Sequence, residues 1–140
     1  FLEKATELGV HRITPILCGR SERKQLKLDR CNKIIAAAVK QSLRVYAPTL
    51  DPLTALQDLQ TEAPISYIAH CEPFEKIALK QAVMHQKECC ILIGPEGDFS
   101  PEEIMWATKQ NITAVHLGDV RLRTETAALS ALHTALLLNA

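Results

Sequence analysis

The chain has 140 residues, a formal net charge of zero and 47% hydrophobic residues. That supplies the core of one domain and excludes a disordered polyelectrolyte. No run of 18 apolar residues occurs, so no helix is expected to span a membrane.

The first residues, FLEKATELGV, lack an initiating Met and the layout of a signal peptide. They read as the middle of a helix, so the chain is expected to be a piece of a longer one. Cys18, Cys31, Cys71, Cys89 and Cys90 fall at no metal-ligand spacing. An odd number of cysteines with no CxxC predicts reduced thiols in a cytoplasmic protein and no metal. Charge is unevenly placed: residues 20–44 carry eight basic residues against Glu22 and Asp29. Such a segment can engage phosphates, although a solvated helix face would look the same.

Taken in order, residues 1–8 read as a helix stopped by Gly9. Residues 12–18 read as a strand in which Pro15 demands an edge or a start. A helix is predicted over 26–44. Cys31, Ile34, Ile35, Ala38 and Ser42 lie on one side, with Lys33, Lys40 and Arg44 opposite. Asp51-Pro52 opens a short helix to about Leu59. Residues 65–70 form a buried strand, 74–86 a helix, and 89–93 (CCILI) a central parallel strand. Ser100-Pro101-Glu102-Glu103 carries the signature of a capping box with Pro at the first helical position. Residues 113–117 form another strand. The final helix, 124–139, is Ala- and Leu-rich on nearly every side, which predicts burial, partly against another subunit. This alternation defines an α/β fold with a mostly parallel sheet.

Ligands of open α/β sheets bind beyond the carboxyl ends of the strands. Three loops there carry the chemistry: His70–Glu72, Gly94–Ser100 and Gly118–Thr126. The middle one follows a buried strand and ends in a helix cap, as a nucleotide loop does. It is a poor phosphate cradle, because Pro95 has no N–H and Glu96 and Asp98 repel anions. A ligand with hydroxyls, an adenine edge and a positive charge suits it, and S-adenosylmethionine has all three. A plain strand-to-helix turn would use the same Gly and Pro. In the third loop, Arg121 and Arg123 flank Leu122 at the mouth of the apolar helix. They can reach an RNA phosphate or base carbonyl, or pair locally with Glu125 or Asp119 while Thr124 or Thr126 caps the helix.

Several segments together resemble a known family. They are Lys4-Ala-Thr-Glu-Leu-Gly9, Ile13-Thr-Pro-Ile16, Ser21-Glu-Arg23, and Lys40-Gln-Ser42 with Arg44 and Pro48. Leu92-Ile-Gly-Pro-Glu-Gly-Asp-Phe-Ser100 and Leu117-Gly118 with Leu122-Arg-Thr-Glu-Thr-Ala127 complete the set. The chain resembles the bacterial 16S rRNA uridine-N3 methyltransferases of the SPOUT, or α/β-knot, superfamily. The resemblance implies a deep trefoil knot, an exception to the rule against threaded chains. It also implies a homodimer acting on the small ribosomal subunit. Residues 1–140 would be the methyltransferase domain, with a PUA-like RNA-binding domain and the first strand of the knot domain lying upstream.

Residue by residue, the resemblance assigns S-adenosylmethionine to Leu92, Ile93, Gly94, Glu96, Gly97, Leu117, Gly118, Leu122, Arg123, Thr126 and Ala127. The RNA side falls to Ser21, Arg23, Lys40, Gln41, Ser42 and Arg44. Two positions depart from the family pattern. Lys40 stands where an acidic residue is common, and Asp98 where a second Gly is common, so Asp98 must hold a conformation that a non-Gly residue tolerates. Uridine N3 must lose its proton before methylation. Arg123 is the candidate for stabilising the uridinate oxygens and Glu125 the candidate base. A target in transfer RNA or 23S rRNA is the nearest rival. A non-catalytic RNA-binding module of the same fold and a flavodoxin-like nucleotide enzyme are further ones.

Overall fold

Helix α1 (Leu2–Leu8) ends at a left-handed Gly9, whose N–H bonds the Ala5 and Thr6 carbonyls. The computed structural model describes residues 1–140. The predicted strand at 12–18 is two short strands, β1 (Arg12–Ile13) and β2 (Ile16–Leu17), broken at Thr14-Pro15. The proline ring removes a ladder donor at that point, and the two halves take different partners. β1 pairs in parallel with β3 (Thr49–Leu50), and β2 with β4 (Thr54–Ala55).

Helix α2 spans Leu28–Gln41, shorter at both ends than the predicted 26–44. Its predicted inner face holds: Ile35 and Ala38 are buried and Cys31 and Ile34 half-buried. Lys33 and Lys40 are exposed opposite them. Arg44 is not on that face. The helix stops at Ser42, Leu43 turns left-handed at φ 57°, and Arg44 folds back on α1. The short helix expected over 51–59 is β4 followed by one 3-10 turn, Leu56–Asp58. The Asp51 carboxylate is used instead as an acceptor for Arg12 Nε at 2.8 Å. The arginine bond holds Asp51 below the ordinary carboxylate range.

The remaining strands build one parallel sheet in the order β6-β8-β5-β7. They are β5 (Ser66–Ala69), β6 (Ile77–Ala78), β7 (Cys90–Ile93) and β8 (Thr113–His116). Two predictions fail here. The expected helix 74–86 is β6 plus a single turn, α3 (Leu79–Ala82). The Cys90–Ile93 strand is an edge of this sheet, and β5 lies between β7 and β8. An apolar run looks the same at a covered edge as in the middle, so length and hydrophobicity did not separate the two.

Alternation along β5 explains the layers. Ile68 faces one core with Leu92, Phe99 and Ile104, under α4 (Pro101–Lys109). Tyr67 and Ala69 face the other core with Leu79, Val83, Val115 and Ala131, under α3 and α5 (Thr124–Leu138). Helix α4 begins as predicted. Ser100 Oγ accepts from Glu103 N–H at 3.2 Å, and the Glu103 carboxylate accepts from Ser100 N–H at 2.8 Å. Glu103 also accepts from Gly19 N–H at 2.7 Å, which ties the basic segment to this helix.

Within one chain α5 is only partly covered, and the predicted burial includes a part against another subunit. Only Ala131 is buried, and Leu137 is 67% exposed.

Candidate functional site

β7, β5 and β8 are adjacent and parallel, so their carboxyl ends open on one edge of the sheet. The three chemistry-bearing loops leave from that edge and are bonded together. The Asp98 carboxylate accepts from Cys71 N–H at 2.7 Å, joining the first loop to the second. Its other oxygen accepts from Phe99 N–H at 2.8 Å. The Thr124 hydroxyl donates to the Gly94 carbonyl at 3.0 Å, joining the second loop to the third.

Asp98 sits at φ 65°, the left-handed region that Asp tolerates among non-Gly residues. Its side chain then bridges two loops, a role unavailable to Gly at this position. Gly94 is needed for close approach. A Cβ there would lie 3.1 Å from both the Phe99 ring and the Phe99 backbone nitrogen.

Arg20 braces the same loop from outside. It donates to the Gly97 carbonyl at 2.9 Å and lies 3.6 Å from the Glu72 carboxylate. A cleft of about 410 Å³ is lined by Ser21, Glu22, Arg23, Pro95 and Glu96. Two residues expected on the RNA side thus meet one expected to hold the cofactor. A larger cleft, about 550 Å³, is lined by Leu26, Lys27, Leu28, Asp29, Arg30 and Lys33, with no residue of the three loops.

The residues expected to hold the cofactor divide by position. Leu92 and Gly94 are buried, and Ile93, Leu117, Leu122 and Ala127 are half-buried. Glu96, Gly97, Gly118, Arg123 and Thr126 are exposed. The alternative of local pairing is not realised. Neither Arg121 nor Arg123 forms an ion pair with Asp119 or Glu125. No side chain caps α5, whose N-cap is Arg123. The third loop therefore presents an unpaired guanidinium beside the positive end of a 15-residue helix.

Of the expected RNA residues, Arg23, Lys40 and Gln41 are exposed. The Ser42 hydroxyl donates to the Ala38 carbonyl at 2.6 Å. Arg44 is committed to α1, donating to the Glu7 carbonyl from Nη2 at 2.6 Å and Nε at 3.0 Å. Its guanidinium closes the end of that helix and packs against Gly9. Cys18 lies beneath the basic segment, where burial and then the Glu103 charge push its thiol up to about 12, so it is not a nucleophile.

Four residues that shape the site escaped the sequence reading of roles: Arg20, His70, Asp98 and Thr124. Asp98 was visible as an acidic loop residue and a departure from a glycine, not as a tie between loops, and Thr124 only as a capping candidate. His70, at the carboxyl end of β5, is buried, and neither ring nitrogen has a hydrogen-bond partner. Its ring is edge-on to Phe74. Burial lowers its pKa below the ordinary 6.5, helped by Lys76, against smaller opposing pulls from the Asp98 charge, the nearby Glu72 backbone carbonyl and the Glu72 carboxylate. A base that folds with a lowered pKa stabilises the protein fully above its unfolded value. That contribution is lost as pH falls from about 6.5 through the folded pKa. Urea titrations across pH 5–8 are therefore expected to show stability falling on the acid side, and His70→Phe is expected to flatten that slope.

The fold and loop arrangement define a parallel α/β domain with a candidate ligand site at the carboxyl edge of its sheet. The RNA methyltransferase domain family matches residues 1–136, and the chain belongs to it.

Among curated proteins it is 27% identical over 135 residues to the ribosomal RNA small subunit methyltransferase E of Rickettsia conorii, covering 94% of this chain and 55% of that one. It is 32% identical over 133 residues to the protein of the same name from Aquifex aeolicus, covering 92% and 58%. Among solved structures, the ribosomal RNA small subunit methyltransferase E from Neisseria gonorrhoeae, bound to S-adenosyl methionine, superposes with a TM-score of 0.81. It shares 30% identity, covering 94% of this chain and 56% of that one. The chain thus spans little more than half the length of these relatives.

Proposed function

We propose that this chain is the methyltransferase domain of a longer protein that uses S-adenosylmethionine to methylate N3 of a uridine in 16S rRNA. The observation that carries the reading is the junction of three loops through Asp98 and Thr124 at one edge of the sheet. Membership of an RNA methyltransferase family and a cofactor-bound relative of the same fold support it. We extend the reading to a trefoil-knotted chain in the cytoplasm, with a PUA-like RNA-binding domain and the first strand of the knot domain upstream. The greater length of the relatives supports sequence beyond this domain.

The residues present fit the cofactor. Gly94, Glu96 and Gly97, with Leu92 and Ile93 behind them, would hold it from one side. Leu117, Gly118, Leu122, Thr126 and Ala127 would hold it from the other. The acidic Glu96 suits a sulfonium, and the scarcity of N–H donors in the loop disfavours a phosphate.

When bound, the cofactor supplies an electrophilic methyl group. The chain's own residues must present a deprotonated uridine N3 to it. Arg123, unpaired and next to the open N-terminus of α5, stabilises negative charge on the uracil oxygens. Glu125, exposed on the first turn of that helix, is the candidate to take the proton. Ser21, Arg23, Lys40 and Gln41 form the RNA side, with Ser42 and Arg44 shaping the chain behind them.

The test is methyl transfer to small ribosomal subunits lacking the modification. Methylation at N3 blocks the Watson–Crick edge, so reverse transcription is expected to stop at one uridine of 16S rRNA. Incorporation only into transfer RNA or 23S rRNA, or none with any RNA, would overturn the substrate.

A homodimer through α5 belongs to the same proposal. Leu137 and Leu138 are exposed on an apolar helix, 67% and 40% respectively. Sedimentation is expected to give a dimer that Leu137→Glu with Leu138→Glu converts to monomer. A wild-type monomer at micromolar concentration would count against it.

A further inference from the structure

His70 stands out among the groups the mechanism leaves unused. It is 5% exposed, and both ring nitrogens lack a partner. Buried polar groups are almost always hydrogen-bonded, and leaving one unmet costs free energy. The surrounding backbone holds the residue firmly. The His70 carbonyl accepts from Lys76 Nζ at 3.0 Å, and the next N–H, of Cys71, is fixed by Asp98 at 2.7 Å.

The position also matters. His70 directly follows the last residue of β5, the strand between β7 and β8. It therefore emerges at the middle of the edge where the loops meet. Burial and the nearby Lys76 charge favour the uncharged ring, which offers one donor and one acceptor. Phe74 meets the imidazole edge-on and provides no hydrogen-bond acceptor in return.

We propose that His70 contacts the bound cofactor, its ring N–H donating to an oxygen of the S-adenosylmethionine carboxylate or ribose. This rests on the cofactor reading above and adds to it a residue from the first loop. The carboxylate and the ribose hydroxyl share the chemistry of an acceptor oxygen, and one pair of probes separates them. S-adenosylhomocysteine carries both groups, whereas methylthioadenosine lacks the amino-acid end.

The experiment is calorimetric titration of both probes into the wild-type protein, His70→Phe and His70→Gln. Phe keeps the ring packing against Phe74 and removes the hydrogen bond. Gln restores a donor. Binding of S-adenosylhomocysteine is expected to weaken about tenfold in His70→Phe and to recover in part in His70→Gln. The same loss with methylthioadenosine places the contact on the ribose. A loss confined to S-adenosylhomocysteine places it on the amino-acid end.

A second readout needs no variant. The ¹⁵N resonances of the His70 ring are expected to shift when S-adenosylhomocysteine is added to the wild-type protein. Unchanged affinity in His70→Phe, or unmoved ring resonances with the ligand bound, would overturn the proposal and leave the cofactor reading standing. Absence of binding by the wild-type protein would overturn both.

Discussion

Arg123→Ala is expected to cut methyl transfer by at least about 10²-fold while leaving cofactor affinity within about tenfold, or about 1.4 kcal/mol. The guanidinium is exposed and unpaired, so its removal strands no partner and opens no cavity in the core. Cofactor contacts assigned to this stretch fall mostly on Leu122, Thr126 and Ala127. A positive group aimed at charge that develops on the uracil oxygens contributes mainly in the transition state. Loss of one such donor typically lowers turnover by about 10²–10³-fold. Single-turnover kinetics with saturating RNA, set beside calorimetry of S-adenosylhomocysteine, separates the two effects. Equal losses in both would refute this division of labour and make Arg123 a binding residue only.

Phe99→Ala is expected to be the most damaging substitution for stability among the loop residues. Phe99 is fully buried, belongs to the core under α4, and is the wall against which Gly94 packs. Truncating a buried Phe costs about 3–5 kcal/mol through lost transfer energy and the cavity left behind. Its backbone also lies inside the loop junction, where its N–H donates to Asp98. The variant is therefore expected to lose cofactor affinity even at temperatures where it remains folded. Urea denaturation would measure the first effect and calorimetry the second. A stability loss below about 1 kcal/mol would mean the loop rests on something other than this ring.

The sequence was most legible where local chemistry decides structure. The capping box at Ser100 and Glu103, the stop at Gly9 and the inner face of α2 are set by neighbours a few residues away. The three loops could be located because a parallel sheet puts its ligand loops at strand ends. What joins them was not legible. Asp98 reaches Cys71 across 27 positions and Thr124 reaches Gly94 across 30, and no periodicity encodes such pairs.

Arg44 shows the opposite failure. Its spacing from Lys40 placed it on a helix face, but the helix had already ended and Leu43 had turned the chain. The stretch 74–86 misled for a related reason. Its helical pattern covered a strand that β8 recruits at Val115 and His116, and tertiary pairing overrode local preference. For α5, composition predicts burial partly against another subunit but cannot say which of its residues that subunit would cover.

The most direct test of the account is a crystal structure of the protein with S-adenosylhomocysteine. The ligand is expected between Gly94–Gly97 and Leu117–Ala127, with the Thr124 and Asp98 ties intact around it. Density for the ligand elsewhere, with that space filled only by solvent, would contradict the central claim.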